Sequence, residues 1–212
     1  MTEHSETTSR KRELRRAILS TRRATYRGAA AAASATAITA HLEPLIDELS
    51  AGGTRPLTIA GFSPTPAEAS ALAHLRRAAK QGHTILLPAY AGAELTWRQW
   101  DGIEALEPSP GAKFGAEPTG RDHGTGALTS ADLILAPAVA VDRSGTRLGH
   151  GKGYYDRALV HRHPETPLVA VVHETEVLEA GALPRETHDV PIDAVLTEAG
   201  LEWIAAAARE TD

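Results

Sequence analysis

Apolar positions in this chain fall into two rhythms. Short continuous apolar runs alternate with stretches in which apolar residues recur three or four apart. The runs Pro56–Phe62, His83–Leu87, Asp132–Val141, Pro167–Val172 and Ala194–Thr197 read as buried strands. Glu94–Trp100 alternates weakly and reads as an edge strand. Helical spacing runs from Ser9 to about Arg27, where Leu14 and Ile18 lie four apart and Gly28 ends the segment. It returns over Ala29–Leu49, Ala67–Lys80, Gly153–His161 and Glu198–Glu210. Residues 101–128, with Pro108, Pro110 and Pro118, read as a loop-rich excursion. Strands alternating with helices predict an α/β fold. We expect a mostly parallel central sheet with helices on both faces, Rossmann-like and three-layered, preceded by a basic N-terminal helix. Ligands in such sheets bind at the carboxyl ends of strands. That edge collects Phe62–Glu68, Arg147–Asp156 and His173.

Composition narrows the picture. A length of 212 residues suits one domain, taken here as residues 10–212 behind a disordered tail, Met1–Ser9. With no cysteine, the chain has no thiol nucleophile, no disulfide and no Cys-ligated metal, which suits the cytoplasm. No apolar run approaches the roughly 18 residues of a bilayer span, so no membrane role is expected. A monomer is expected too, since no unpaired apolar surface stands out. The net charge of −5 hides an asymmetry: residues 10–27 hold eight basic residues against Glu13, and the rest of the chain carries −12. Such a helix fits a small polyanion or simply a solvated face docked on an acidic body. Nucleic acid is not expected, because the body repels phosphate and no aromatic platform accompanies the basic run.

The densest chemistry lies in Asp132–Leu159. Gly149, Gly151 and Gly153 alternate with His150 and Lys152, Arg147 precedes them, and Asp156 follows Tyr154 and Tyr155. Bare backbone amides, cations and one carboxylate at a strand-to-helix turn suit a nucleotide phosphate with a divalent metal. Two familiar templates fail: a Rossmann fingerprint would need glycine at Tyr154, and a Walker A loop would need Ser or Thr at Gly153. On residue chemistry alone, a tight connection, a phosphosugar- or CoA-handling enzyme and a non-catalytic nucleotide-binding module all remain open. His161, His163 and His173, the last beside Glu174, do not have convincing zinc spacing and read as surface or helix-end residues. Trp97, Trp100 and Trp203 read as packing residues.

The APAVAVD and RLGHGKGYYD segments, between Leu133 and Asp156, resemble the signature of the 5-formyltetrahydrofolate cyclo-ligase family. Four further segments agree in order: KRELR (Lys11–Arg15), PAE (Pro66–Glu68), FGAEP (Phe114–Pro118) and LPRETHDVPID (Leu183–Asp193). The resemblance implies that ATP drives closure of 5-formyltetrahydrofolate to 5,10-methenyltetrahydrofolate, releasing ADP and phosphate, with Mg2+ present. It puts Lys11, Arg12, Glu13, Leu14 and Arg15 on ATP. Arg147, Leu148, Gly149, His150, Gly151, Lys152, Gly153, Tyr154 and Tyr155 would wrap the same nucleotide. The small-molecule folate would meet Ser63, Glu68, His150, Gly151, Lys152, Gly153 and Tyr154. Lys152 and Arg147 would serve the transferring phosphoryl group, and Asp156 and Asp189 would hold magnesium. Phe114 would wall the folate site or anchor its loop. The chain departs from the family pattern at His150, where arginine is usual, and at Ala71, where threonine often stands.

Overall fold

The computed structural model describes residues 3–109, 115–186 and 189–205. Two helices come first, α1 (Glu3–Thr25) and α2 (Ala29–Leu49). Then follow β1 (Thr58–Ala60), α3 (Leu72–Lys80), β2 (Thr84–Ala91), β3 (Glu94–Trp100), β4 (Glu107–Pro108) and β5 (Ala116–Glu117). The second half holds β6 (Leu133–Pro137), β7 (Ala140–Asp142), β8 (Arg147–Leu148), α4 (Tyr154–Leu159) and β9 (Leu168–Val171). Last come β10 (Val177–Leu178), β11 (Ala194–Thr197) and β12 (Gly200–Trp203).

Seven strands form the main sheet in the order β12-β11-β9-β6-β1-β2-β3. The five inner strands are parallel, and β3 and β12 close the edges antiparallel. Alternate residues serve opposite faces, as the pleat requires. Ile59, Leu133, Leu135 and Val169 pack under Ile38 and Leu42 of α2 and Leu75 of α3. Ala60, Ile134, Ala136 and Ala170 pack under Leu128 and under Ala158 and Leu159 of α4. Helices therefore cover both faces, as the apolar runs implied.

Several boundaries differ from the sequence reading, each for a local reason. Residues 3–9 are helical, not a disordered tail, because no glycine or proline interrupts the chain before Gly28 and a nucleated helix extends at little cost. The run Asp132–Val141 splits after Pro137: the carbonyls of Ala138 and Val139 turn to Arg22 (2.7 and 3.1 Å), and β7 joins a second small sheet, β10-β7-β8. Pro88 does not end β2. Thr84 donates its amide to Leu57 on the β1 side, so even positions face that way, and β1 stops opposite Leu86. The last bond on that side is from the Gly61 amide to the Leu86 carbonyl, so Pro88, which has no N–H to give, stands just past the end of the β1 pairing. The segment read as a C-terminal helix forms a hairpin instead. Glu198 and Ala199 turn between paired Thr197 and Gly200, the Thr197 hydroxyl accepts the Ala199 amide, and β12 follows. Residues 206–210 of that expected helix lie outside the described residues. Trp97 and Trp100 are buried, but Trp203 stands 54% exposed on β12.

One stripe of α1 docks on the body. Leu14, Ile18 and Leu19 pack against Val139, Ala140, Leu148 and Leu183. Below them Arg22 is buried and donates through Nε and Nη2 to Glu176 (2.5 and 2.9 Å). Removing one member of a buried pair leaves the other charge stranded. Arg22→Met is therefore expected to cost about 3–5 kcal/mol in urea unfolding, and Arg22→Met with Glu176→Leu clearly less. Equal losses would mean the pair carries no special weight.

Candidate active site

The carboxyl ends of β1 and β6 open onto a cavity. Phe62, Ser63, Thr65 and Glu68 wall it from the segment after β1, and Pro88, Tyr90 and Leu95 from β2 and β3. The loop from Arg147 to Asp156 closes the remaining side. Two of its glycines have backbone angles that other residues rarely adopt: φ is +90° at Gly151 and +67° at Gly153.

Arg147 lies buried beneath this loop. Its guanidinium donates to the Asp156 carboxylate and, at 3.4 Å, to the Pro137 carbonyl, and sits 5.9 Å from the Tyr155 ring centre. This ties the start of α4 back to the end of β6. Tyr155 itself meets Trp97 edge-on at 6.3 Å and touches both faces of the core. Burial drives its phenol far above the ordinary range. Tyr154 remains on the cavity wall, edge-on to Tyr90 at 5.1 Å. Of the two adjacent tyrosines, Tyr155 therefore packs in the core and Tyr154 faces the cavity.

Glu68 does not sit in the first turn of a helix, as expected from a helix beginning at Ala67, because α3 starts at Leu72. Its Oε2 accepts the backbone N–H and the hydroxyl of Thr65, each at 2.8 Å. That closes a tight turn and competes with helix formation. Its Oε1 lies 3.1 Å from His150 Nε2 and 3.6 Å from Arg22. The side chain is only 4% exposed. Burial alone would raise its pKa, but the contacts from His150 and Thr65 outweigh it, so the carboxyl stays below the ordinary carboxylate range.

Helix α1 supplies cations to the other flank. Arg15 donates through Nε to the Gly149 carbonyl at 2.7 Å. Burial lowers its pKa against the attraction of Asp156, Asp189 and Glu186. Lys11 bridges Glu186 and Asp189 at 2.7 and 3.0 Å; burial opposes its charge, but the two carboxylates prevail and raise its pKa. Not all of the KRELR segment faces inward. Arg12 and Glu13 are exposed, and Leu14 packs in the apolar stripe. Leu148 likewise belongs to the core, Lys152 stands exposed at the cavity mouth, and Ser63 Oγ accepts the Ala116 amide at 3.4 Å. Phe114 lies outside the described residues.

Among the described residues no three His, Asp or Glu side chains form a metal cluster. Magnesium does not need one. It typically takes one or two carboxylates and completes its shell with phosphate oxygens and water. Asp156 on the cavity wall and Asp189 near Arg15 offer donors of that kind.

Sequence reading missed Arg22, Glu176 and the inward setting of His173. Lys11, Arg15, Ile18, Arg22 and Tyr26 repeat at helical spacing, so the docked stripe was signalled. His173 is not a surface residue: it is buried directly after β9. A polar residue closing a buried run at the ligand-binding edge was its signal.

Comparison with known proteins places the chain in a family. The model of the 5-formyltetrahydrofolate cyclo-ligase family matches residues 7–198. A 5-formyltetrahydrofolate cyclo-ligase from Mycolicibacterium smegmatis is 38% identical over 145 residues, 66% of this chain and 73% of that protein. The solved 5,10-methenyltetrahydrofolate synthetase of Aquifex aeolicus superposes with a TM-score of 0.70 at 25% identity, covering 95% of this chain and 94% of that one. The synthetase of Mycoplasma pneumoniae shares the fold, with a TM-score of 0.65 at 19% identity over 89% and 98% of the two chains.

The depressed pKa of Glu68 carries a sign for stability. Its contribution is fully present above the unfolded value of 4.5 and is lost as pH falls through the lower folded value. Glu68→Gln should therefore flatten the loss of unfolding free energy below pH 4.5. An unchanged acid slope in denaturant titrations would contradict this.

Proposed function

Because the chain belongs to the 5-formyltetrahydrofolate cyclo-ligase family, we propose that it closes 5-formyltetrahydrofolate to 5,10-methenyltetrahydrofolate at the expense of ATP. One observation carries the reading. Gly149 and His150, adjacent in the glycine loop, face Arg15 of the basic helix on one side and Glu68 on the other. A single loop thus borders both a cationic flank and an acidic one, as a site for triphosphate and pterin requires.

In this reading the formyl oxygen attacks the γ-phosphorus and ADP leaves, giving an iminium phosphate. N10 of the folate then adds to the formyl carbon, its proton departs, and phosphate is expelled as the ring closes. No protein nucleophile is needed; the protein aligns the two reactants and stabilises charge. Lys11 and Arg15 approach the triphosphate from α1, with the glycine amides around it. Lys152, at the cavity mouth, neutralises the transferring phosphoryl group. Arg147, tied to Asp156, keeps the loop and the carboxylate in place. Asp156 and Asp189 would hold magnesium, which screens the phosphate charges. Glu68 accepts N–H groups of the pterin, with Ser63 and Tyr154 alongside. The same reading has the protein working as a cytoplasmic monomer. In support, Ile103, Val160 and Trp203, large apolar residues exposed among those described, lie on separate segments.

Incubation with 5-formyltetrahydrofolate, ATP and magnesium should produce the methenyl chromophore, read by its near-ultraviolet absorbance. Folate binding without ATP-dependent product would leave only a binding module. Lys152→Ala should lower kcat by about a hundredfold while folate affinity changes by less than about threefold. Equal losses in both would remove Lys152 from the transferring charge. His150→Arg should preserve or raise activity; a collapse would give the imidazole a task of its own.

A further inference from the structure

Behind the cavity, a buried histidine makes contacts that the proposed chemistry does not use. His173 follows β9 and is 1% exposed. Its ring stacks on Tyr26 of α1, with centroids 3.3 Å apart and planes 9° from parallel. Its Nδ1 lies 3.0 Å from Ser34 Oγ on α2 and 3.6 Å from the Glu198 carboxylate. Its backbone N–H donates to Glu176, the acid that Arg22 grips. Its Nε2 lies 3.1 Å from the carbonyl oxygen of Ala67. A carbonyl can only accept, so Nε2 carries the proton in that contact.

Ala67 immediately precedes Glu68, and its φ is +69°. A side chain there crowds the backbone, and a non-glycine residue holds the conformation only where its surroundings enforce it. Two contacts do so. The Glu68 amide donates to Thr65 at 3.0 Å, and His173 grips the Ala67 carbonyl. The turn they fix decides where the Glu68 carboxylate stands in the cavity wall. The anchor is itself held from α1, α2 and the Glu176 segment.

We propose that His173 is a positioning residue for the folate site: through Nε2 it holds Ala67 in the left-handed conformation and so presents Glu68 to the substrate. This rests on the assignment of Glu68 to the folate. His173→Leu should weaken 5-formyltetrahydrofolate binding by about tenfold in equilibrium titrations without nucleotide, while ATP affinity changes by less than about twofold. His173→Gln, whose amide can still donate to the Ala67 carbonyl, should restore most of the affinity. Ala67→Gly in the His173→Leu background should do the same, because glycine adopts this φ unaided. Equal weakening of both ligands, no weakening, or no recovery in either rescue variant would overturn the proposal. A readout that needs no folate comes from the 15N shifts of His173 in the free wild-type protein. The Nε2-protonated tautomer is expected, and the Nδ1-protonated form would also overturn the proposal. Failure of the wild type to bind folate would instead strike the assignment of Glu68, with the tautomer still deciding the contact with Ala67.

Discussion

A cation sealed away from water governs the layout of this molecule. Arg22 is buried, so each of its donors must find an acceptor. Glu176 takes a bidentate pair from Nε and Nη2, and the carbonyls of Ala138 and Val139 share that same Nη2. A helix as polar as α1 has little apolar surface to hold it elsewhere, and Leu14, Ile18 and Leu19 supply only a narrow stripe. The buried pair therefore sets where the helix lies. Lys11 and Arg15 lie three and two turns earlier on the same face, which brings Arg15 onto Gly149 and Lys11 onto Glu186 and Asp189.

The same pair shapes the sheet. Carbonyls turned to Arg22 cannot pair with a neighbouring strand, so the long apolar run breaks after Pro137 and its second half joins a separate small sheet. The polypeptide returns through Arg147 into the glycine loop, and the Arg147–Asp156 pair draws the start of α4 back to that break. Charged groups in this region are consequently interlocked. Arg22 reaches Glu68, Glu68 reaches His150, and Glu176 caps the backbone of His173. A substitution at any of them should be felt by its neighbours, since groups sharing one network do not act additively.

Much of this was legible in the sequence because burial writes a strong pattern. Continuous apolar runs such as PLVAVV, bounded by turn residues and alternating with helical stretches, mark inner strands of a covered sheet, and RLGHGKGYYD stood out through its resemblance to a family signature. Features that depend on tertiary partners were not legible. Helix propensity favours the stretch from Ala67, but the Glu68 side chain folds back on Thr65 and delays α3 to Leu72. Proline signals a strand end, yet Pro88 sits where the adjoining strand has already stopped. The C-terminal segment has helical composition through residue 205 and beyond, but a two-residue turn and an open sheet edge capture it as β12. Arg12 and Glu13 sit within a matching motif and still face solvent, because a helix presents only one side to its partner.

The central claim is that one loop, pinned by the buried arginine, serves nucleotide and folate together. A crystal structure of the protein with a non-hydrolysable ATP analogue, magnesium and 5-formyltetrahydrofolate tests it most directly. The account predicts the triphosphate along Gly149–Gly153, within reach of Lys11 and Arg15, and the pterin against Glu68. A triphosphate bound elsewhere, with the cavity between Glu68 and His150 left to solvent, would contradict it.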